Sequence, residues 1–255
     1  MYQSLIKPLF ADVKTFVLDT LFPVSCLSCG QEGTFICVDC KMLLKTLEHQ
    51  RCIVCQKPTP FGLTHPGCLT AHGADGLVSF YDYRDKKMSK IIIAGKYNFI
   101  PSSYEILGEI IAHKLRTGFT SLLQASNYQL TPIPLHSSRK RWRGFNQAEV
   151  LCQKISKELS MSLADSLIRH KATRTQKDLK KEARLKNVAE TFKLKKNADV
   201  HGKNIILVDD VTTTGATLQE AAKLLKRSGA ISCGNWRWRH RSGAKKVICL
   251  TVARD

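Results

Sequence analysis

The chain has 255 residues, 43% of them hydrophobic, which is enough for one α/β domain of ordinary size with a small module beside it. Its formal net charge of +19 points to polyanionic partners: nucleic acid, an acidic membrane surface or phosphate-rich ligands. No signal peptide is visible and no apolar run approaches the ~20 residues of a membrane span, so the sequence reads as that of a cytoplasmic protein.

From Met1 to Leu21 the sequence is amphipathic, with Leu5, Ile6, Leu9, Phe10, Val13, Phe16 and Val17 near helical spacing. This predicts a helix packed on the neighbouring module, with a membrane-surface helix as the other reading. Seven of the ten cysteines follow in a short span, as Cys26-x-x-Cys29, Cys37-x-x-Cys40, Cys52-x-x-Cys55 and His65-x-x-Cys68. Pairs at this spacing form knuckles that present two ligands to one tetrahedral zinc. The simplest pairing is sequential, one zinc on the first four cysteines and one on Cys52, Cys55, His65 and Cys68. A crossed pairing, or one full site with a degenerate second, also fits the spacing. Such sites are closed and structural, and metal ligation supplies most of the folding energy of so small a module. Cys152, Cys233 and Cys249 stand alone and read as ordinary residues. We place the module at 1–74 and a second domain at 75–255.

That second domain opens with a strand-like Leu77–Tyr83, a helix over Asp85–Ala94, an interruption at Gly95-Lys96-Tyr97, and a helix over Tyr104–Leu115. Leu130-Thr-Pro-Ile-Pro-Leu-His136 reads as a strand end whose prolines fix the exit. Ser137–Gln147 is a dense cationic loop leading into a helix over Ala148–Leu159. A strand, a cationic turn and a helix make an anion site, to which Arg139, Arg141 and Arg143 add bidentate charge. Between Arg139 and Lys196 there are 17 Lys and Arg against 6 Asp and Glu, so +11 of the charge lies in this stretch.

Ile205–Val208 is an apolar, mostly β-branched run that suits a strand buried on both faces of a parallel sheet. Asp209 and Asp210 follow where the strand is expected to leave the sheet. Next come Thr212, Thr213, Thr214, Gly215, Ala216 and Thr217, and then Leu218, Ala221, Ala222, Leu224 and Leu225 at helical spacing. Backbone amides and the helix dipole make this turn a second anion site, Gly215 lets the backbone close, and the threonines add donors. The acid pair cannot hold phosphate; it suits hydroxyls or a phosphate-bound cation. A sugar phosphate satisfies both halves. Near the end, Arg227-Ser-Gly-Ala230 recurs as Arg241-Ser-Gly-Ala244, enclosing Trp236-Arg-Trp-Arg239, an alternation that stacks bases and grips phosphates or is merely a surface hairpin. A final strand reads from Lys246 to Ala253.

The stretch from Ile205 to Thr217 resembles the phosphoribosyl pyrophosphate (PRPP) loop of type I phosphoribosyltransferases. Taken with the cysteine pairs, Lys96-Tyr97, Thr131-Pro-Ile-Pro-Leu, Arg143-Gly-Phe-Asn-Gln147, Arg174-Thr-Gln176, Arg184 and Asn187-Val188, the chain resembles the ComF family of competence proteins along nearly its whole length. The resemblance implies a type I phosphoribosyltransferase-like parallel sheet with helices on both faces, preceded by a small zinc-ribbon-like module. It implies a role in natural transformation, with single-stranded DNA handled in the cytoplasm and, as partners, the competence helicase and the inner-membrane DNA-import machinery. By the same likeness Asp209 and Asp210 bind the ribose hydroxyls, Thr212 to Thr217 cradle the 5′-phosphate, and magnesium arrives with PRPP. Pro132–Gly144 corresponds to the pyrophosphate loop, with Lys96 reaching the pyrophosphate. Thr173–Asn187, carrying Arg174, Lys177 and Arg184, corresponds to a mobile loop over PRPP. The other function it allows is a transferase that displaces pyrophosphate from PRPP. No acceptor pocket or general base for a named nucleophile is recognisable.

Overall fold

The computed structural model describes residues 23–120, 127–171, 190–228 and 243–255. The expected N-terminal helix, the 231–240 insert and the basic residues Arg174, Lys177 and Arg184 lie outside them.

Seven strands and six α-helices follow in chain order among the described residues. They are α1 (Val38–Met42), β1 (Gly76–Asp82), α2 (Lys86–Tyr97), α3 (Pro101–Gly118), β2 (Tyr128–Pro132) and α4 (Ser137–Arg143). After these come α5 (Gln147–Leu159), β3 (Ser162–Leu163), β4 (Leu167–Arg169), β5 (Phe192–Leu194), β6 (Asn204–Thr212), α6 (Ala216–Arg227) and β7 (Lys246–Arg254). Five strands form one parallel sheet in the order β1-β7-β6-β2-β3, and β4 pairs β5 in an antiparallel ribbon.

The unbroken apolar runs of β6 and β7 are those expected of central parallel strands covered on both faces. Their side chains alternate between two cores. Ile206, Val208, Ile248, Leu250 and Val252 face a layer built from α2, α3 and α5. Ile205, Leu207, Val247 and Cys249 face α6 through Leu218, Ala221, Ala222 and Leu225. Cys152 and Cys249 are fully buried members of these cores.

After β2 the chain crosses through α5 to β3 on one side, whereas after β6 it crosses through α6 to β7 on the other. The strand order therefore reverses between β2 and β6. In an open parallel sheet that reversal leaves a crevice outside the carboxyl ends of the two strands.

Three local readings change. Strand β6 does not leave the sheet at Asp209: it pairs with β7 through Thr212, opposite Arg254. Gly95 does not interrupt α2; a Cβ there would lie 2.8 Å from the Tyr104 ring, so the glycine permits close contact with α3 and the helix runs on to Tyr97. The cationic stretch after His136 is mostly helical (α4), and it is closed by Gly144 in the left-handed conformation.

Candidate functional site

The crevice between β2 and β6 holds a cavity of about 400 Å³. Its lining includes Asp209, Asp210 and Val211 from the end of β6, together with Arg139 and Arg143 from α4 and Arg169 from β4. Lys96, Tyr97, Trp142, Gln147 and Thr217 line the rest. Of the sequence-predicted residues, Arg141 is exposed outside the cavity. Thr212 is buried in the sheet, and Thr214 Oγ1 accepts from the Ala216 amide at 3.4 Å within the turn.

The residues of Arg143-Gly-Phe-Asn-Gln147 have separate structural tasks. Gly144 ends α4, and Phe145 packs on Tyr104 with ring centroids 6.0 Å apart. Asn146 caps α5 by accepting from the Ala148 amide, while its own amide donates to the Ile133 carbonyl at 3.0 Å. That bond ties the cap to the end of β2. Gln147 is 2% exposed; its Oε1 accepts from Arg143 at 2.8 Å. Gln147 Nε2 and Arg143 Nε are buried with no hydrogen-bond partner among the described residues. Buried donors left in this state are costly, and a ligand that accepts from them relieves the cost.

The acid pair sits in a graded field. Lys96 Nζ lies 2.6 Å from Asp210 Oδ2, and both side chains are largely buried. Burial works against the lysine charge, but Asp210 overrides it and raises the lysine above its ordinary value. The Tyr104 hydroxyl, within 3.2 Å of the same carboxylate oxygen, is held neutral by burial and by Asp210. Asp209 has no such direct partner. Burial first, and the charge of Asp210 second, push its carboxyl up to about 7. Its Oδ1 accepts from the Asp210 amide at 2.9 Å. Two adjacent acids therefore sit in different surroundings: Asp210 touches a lysine, and Asp209 is the one whose proton is held more tightly.

Gly215 starts α6 with φ +77°, and a Cβ there would lie 2.7 Å from Ile53 Cγ1. The turn therefore packs directly on the residue between Cys52 and Cys55. Arg254, at the end of β7, holds the same knuckle by donating to the carbonyls of Arg51 (2.7 Å) and Cys52 (3.3 Å) and to Gln56 Oε1. Ile53, Arg254, Trp142, Arg169 and Tyr104 escaped the sequence reading, because only tertiary structure brings them to the loop.

The cysteines group sequentially, Cys26, Cys29, Cys37 and Cys40 in one set and Cys52, Cys55, His65 and Cys68 in the other. Within each set the ligand atoms lie within 4.8 Å of one another. Zn–S bonds of about 2.3 Å at tetrahedral angles put sulfurs about 3.8 Å apart; Cys29 and Cys37 Sγ are at 3.7 Å. In the second set Cys55 Sγ lies 3.2 Å from His65 Nδ1, while His65 Nε2 is 3.1 Å from the Pro58 carbonyl. A ligand histidine commonly donates its second ring N–H to a carbonyl in this way, which selects Nδ1 as the metal-facing atom. Both sets fit a structural zinc.

Residues 17–69 match the double zinc ribbon domain and residues 146–253 match the phosphoribosyl transferase domain. Over 109 residues the chain is 38% identical to the DNA utilization protein YhgH of Escherichia coli K12, covering 42% of this chain and 47% of that one. It is 36% identical over 110 residues to competence protein F of Haemophilus influenzae, covering 42% and 48%. It is 29% identical over 201 residues to competence protein ComFC of Bacillus subtilis, covering 76% and 79%. The chain is thus similar to proteins named for competence and for DNA utilization, and carries a double zinc ribbon and a phosphoribosyl transferase domain. The chain spans about half the length of its E. coli and H. influenzae relatives. The parallel sheet and the double zinc ribbon are as expected from the sequence. No helix among the described residues is long and apolar enough to cross a membrane.

Proposed function

We propose that this chain is a competence factor that handles incoming single-stranded DNA in the cytoplasm and binds PRPP, with its magnesium, in the crevice between β2 and β6. The observation that carries the reading is the mixed lining of the cavity: an acid pair and three arginines border one space sized for a small ligand. Carboxylates accept hydrogen bonds from vicinal hydroxyls, and arginines donate bidentately to phosphates. A ligand with both groups a few ångströms apart fits, and PRPP has them. In this reading Asp209 and Asp210 take the ribose hydroxyls and the turn from Thr213 to Thr217 takes the 5′-phosphate. Lys96, Arg139, Arg143 and Gln147 take the pyrophosphate, and Arg174, Lys177 and Arg184 close over it. The relatives named for competence and DNA utilization support the biological role, and the net charge of +19 supports a polyanion as partner.

Two titrations test this. Calorimetry with magnesium-PRPP is expected to give binding that Asp209→Asn with Asp210→Asn abolishes while the circular dichroism spectrum is unchanged; undiminished affinity in that variant sinks the site. Anisotropy of a labelled single-stranded oligonucleotide is expected to show binding that weakens steeply with salt, because phosphate contacts release counterions. No binding at near-physiological salt removes the DNA role, and pyrophosphate release with a screened acceptor would put a transferase in its place.

A further inference from the structure

At the mouth of the cavity three large aromatic side chains are about half exposed, and two of them, Tyr97 and Trp142, also belong to its lining. Tyr97, the last residue of α2, is 50% exposed; Phe99, in the α2–α3 connection, is 47% exposed; and Trp142 of α4 is 55% exposed. They come from separate segments and meet in one cluster. The Trp142 ring is 5.9 Å from Tyr97 and 5.4 Å from Phe99, both at 67°. The Arg143 guanidinium carbon lies 6.0 Å from the Tyr97 ring and 5.8 Å from that of Trp142. Phe99 keeps its place with φ +57°, a left-handed conformation that is costly for a bulky residue.

Three exposed rings cost free energy in water unless something covers them. The surrounding charge limits what that can be. Arg139, Lys140, Arg141 and Arg143 all belong to α4, so the cover is apolar on its face and anionic at its edge. PRPP has no aromatic ring to offer. We propose that Tyr97, Phe99 and Trp142 form a platform on which an unpaired nucleobase of a single strand stacks, with the strand's phosphates on Lys140 and Arg141, the α4 cations outside the cavity lining. This rests on the DNA-handling reading above and adds where and how the strand is held. Because every base has a π-face, such a platform carries little sequence preference.

The test compares two labelled ten-nucleotide strands of equal charge, one of thymidylates and one of abasic residues, on the full chain at fixed salt. Wild type is expected to prefer the thymidylate strand about tenfold, the scale of one base–aromatic stack. Trp142→Ala is expected to abolish that preference while leaving the abasic strand's affinity unchanged, and Trp142→Phe to retain most of it. Equal affinity for the two strands in wild type overturns the platform and leaves DNA binding intact. Equal weakening of both strands by Trp142→Ala overturns it too, as does loss of the preference in Trp236→Ala with Trp238→Ala instead. If neither strand binds, the DNA-handling reading itself falls, and the platform with it.

Discussion

The two candidate zinc sites are each built from two pairs of ligands with two residues between the members, but they have different neighbours in space. The first is built into the layer that covers β1 and α2. Cys26, Ile36, Cys37, Cys40 and Leu44 share a core with Val78, Met88 and Ile91, and Lys90 donates to the Ser28 carbonyl at 2.9 Å. The second belongs to the opposite face, where Ile53 joins Leu77, Leu207 and Leu218. It touches Gly215 of the candidate phosphate turn, and Arg254 grips its backbone. The first knuckle pair is remote from the turn and the second is one van der Waals contact from it. Duplicated local chemistry therefore need not mean duplicated function: what a zinc site does depends on what its knuckle leans on.

The largest effect that would sharpen this contrast is on PRPP affinity. Cys52→Ser with Cys55→Ser is expected to lower it at least about tenfold, and Cys26→Ser with Cys29→Ser to change it less than about threefold. Each variant is expected to lose one zinc per chain, counted by atomic emission; the factors correspond to losses of about 1.4 kcal/mol or more against well under 1 kcal/mol. Equal losses of affinity would erase the distinction between the two sites. A narrower probe leaves both ion sites intact. Ile53→Ala removes only the buttress; truncation of a fully buried isoleucine costs ~2–5 kcal/mol of stability. It is expected to speed hydrogen exchange at residues 213–217 with both zincs retained, and unchanged exchange there would break the link between knuckle and turn.

Gly215→Ala meets Ile53 from the other side. It combines an unfavourable φ with the 2.7 Å approach, so a loss on the order of 1–3 kcal/mol is expected in denaturant unfolding. Ile53→Ala in the same chain is expected to recover part of that loss, which a double-mutant cycle measures.

The smallest effect lies in the pocket itself and is independent of either ribbon. Asp209 titrates higher in the folded chain, at about 7, than an ordinary aspartate. A raised acid makes the folded state bind the proton more tightly, so this stabilising contribution is complete below pH ~4 and is lost as pH rises through about 7. Asn stays neutral throughout. Asp209→Asn is therefore expected to melt a few degrees above wild type at pH 8 and together with it at pH ~4. A lower melting temperature for the variant at pH 8 would mean that Asp209 is held as an anion.

Much of this architecture was legible beforehand because it is local. Cys-x-x-Cys spacing survives folding unchanged, and the apolar run Ile205–Val208 could only be a doubly covered strand. The end of that strand was misjudged because its hydrogen bonds are supplied by β7, far along the chain, and continue past the two aspartates. Gly95 reads as a break in sequence because a glycine's packing partner, here Tyr104, is invisible there. The candidate site was half legible: its acids and α4 arginines carry their own signal, whereas Arg169, Trp142 and Ile53 acquire meaning only where distant segments meet.

One pairing in the sheet has a consequence for how the protein is made. Ser79 of β1 shares a hydrogen bond with Thr251 of β7, 172 residues away, and among the described strands β1 pairs with β7 alone. On the ribosome the zinc ribbons and β1 emerge long before that partner does. The ribbons, closing on local ligands, can load metal and fold early, while the apolar face and open edge of β1 wait in the nascent chain until β7 arrives. Contacts this distant slow the final step and expose an unpaired edge in the interval. Arg254, which fastens the second knuckle, arrives with the same strand. The second ribbon can meet the start of β1 early, through the Leu63–Gly76 bridge, but its Arg254 contacts are expected to form only with the closure of the sheet.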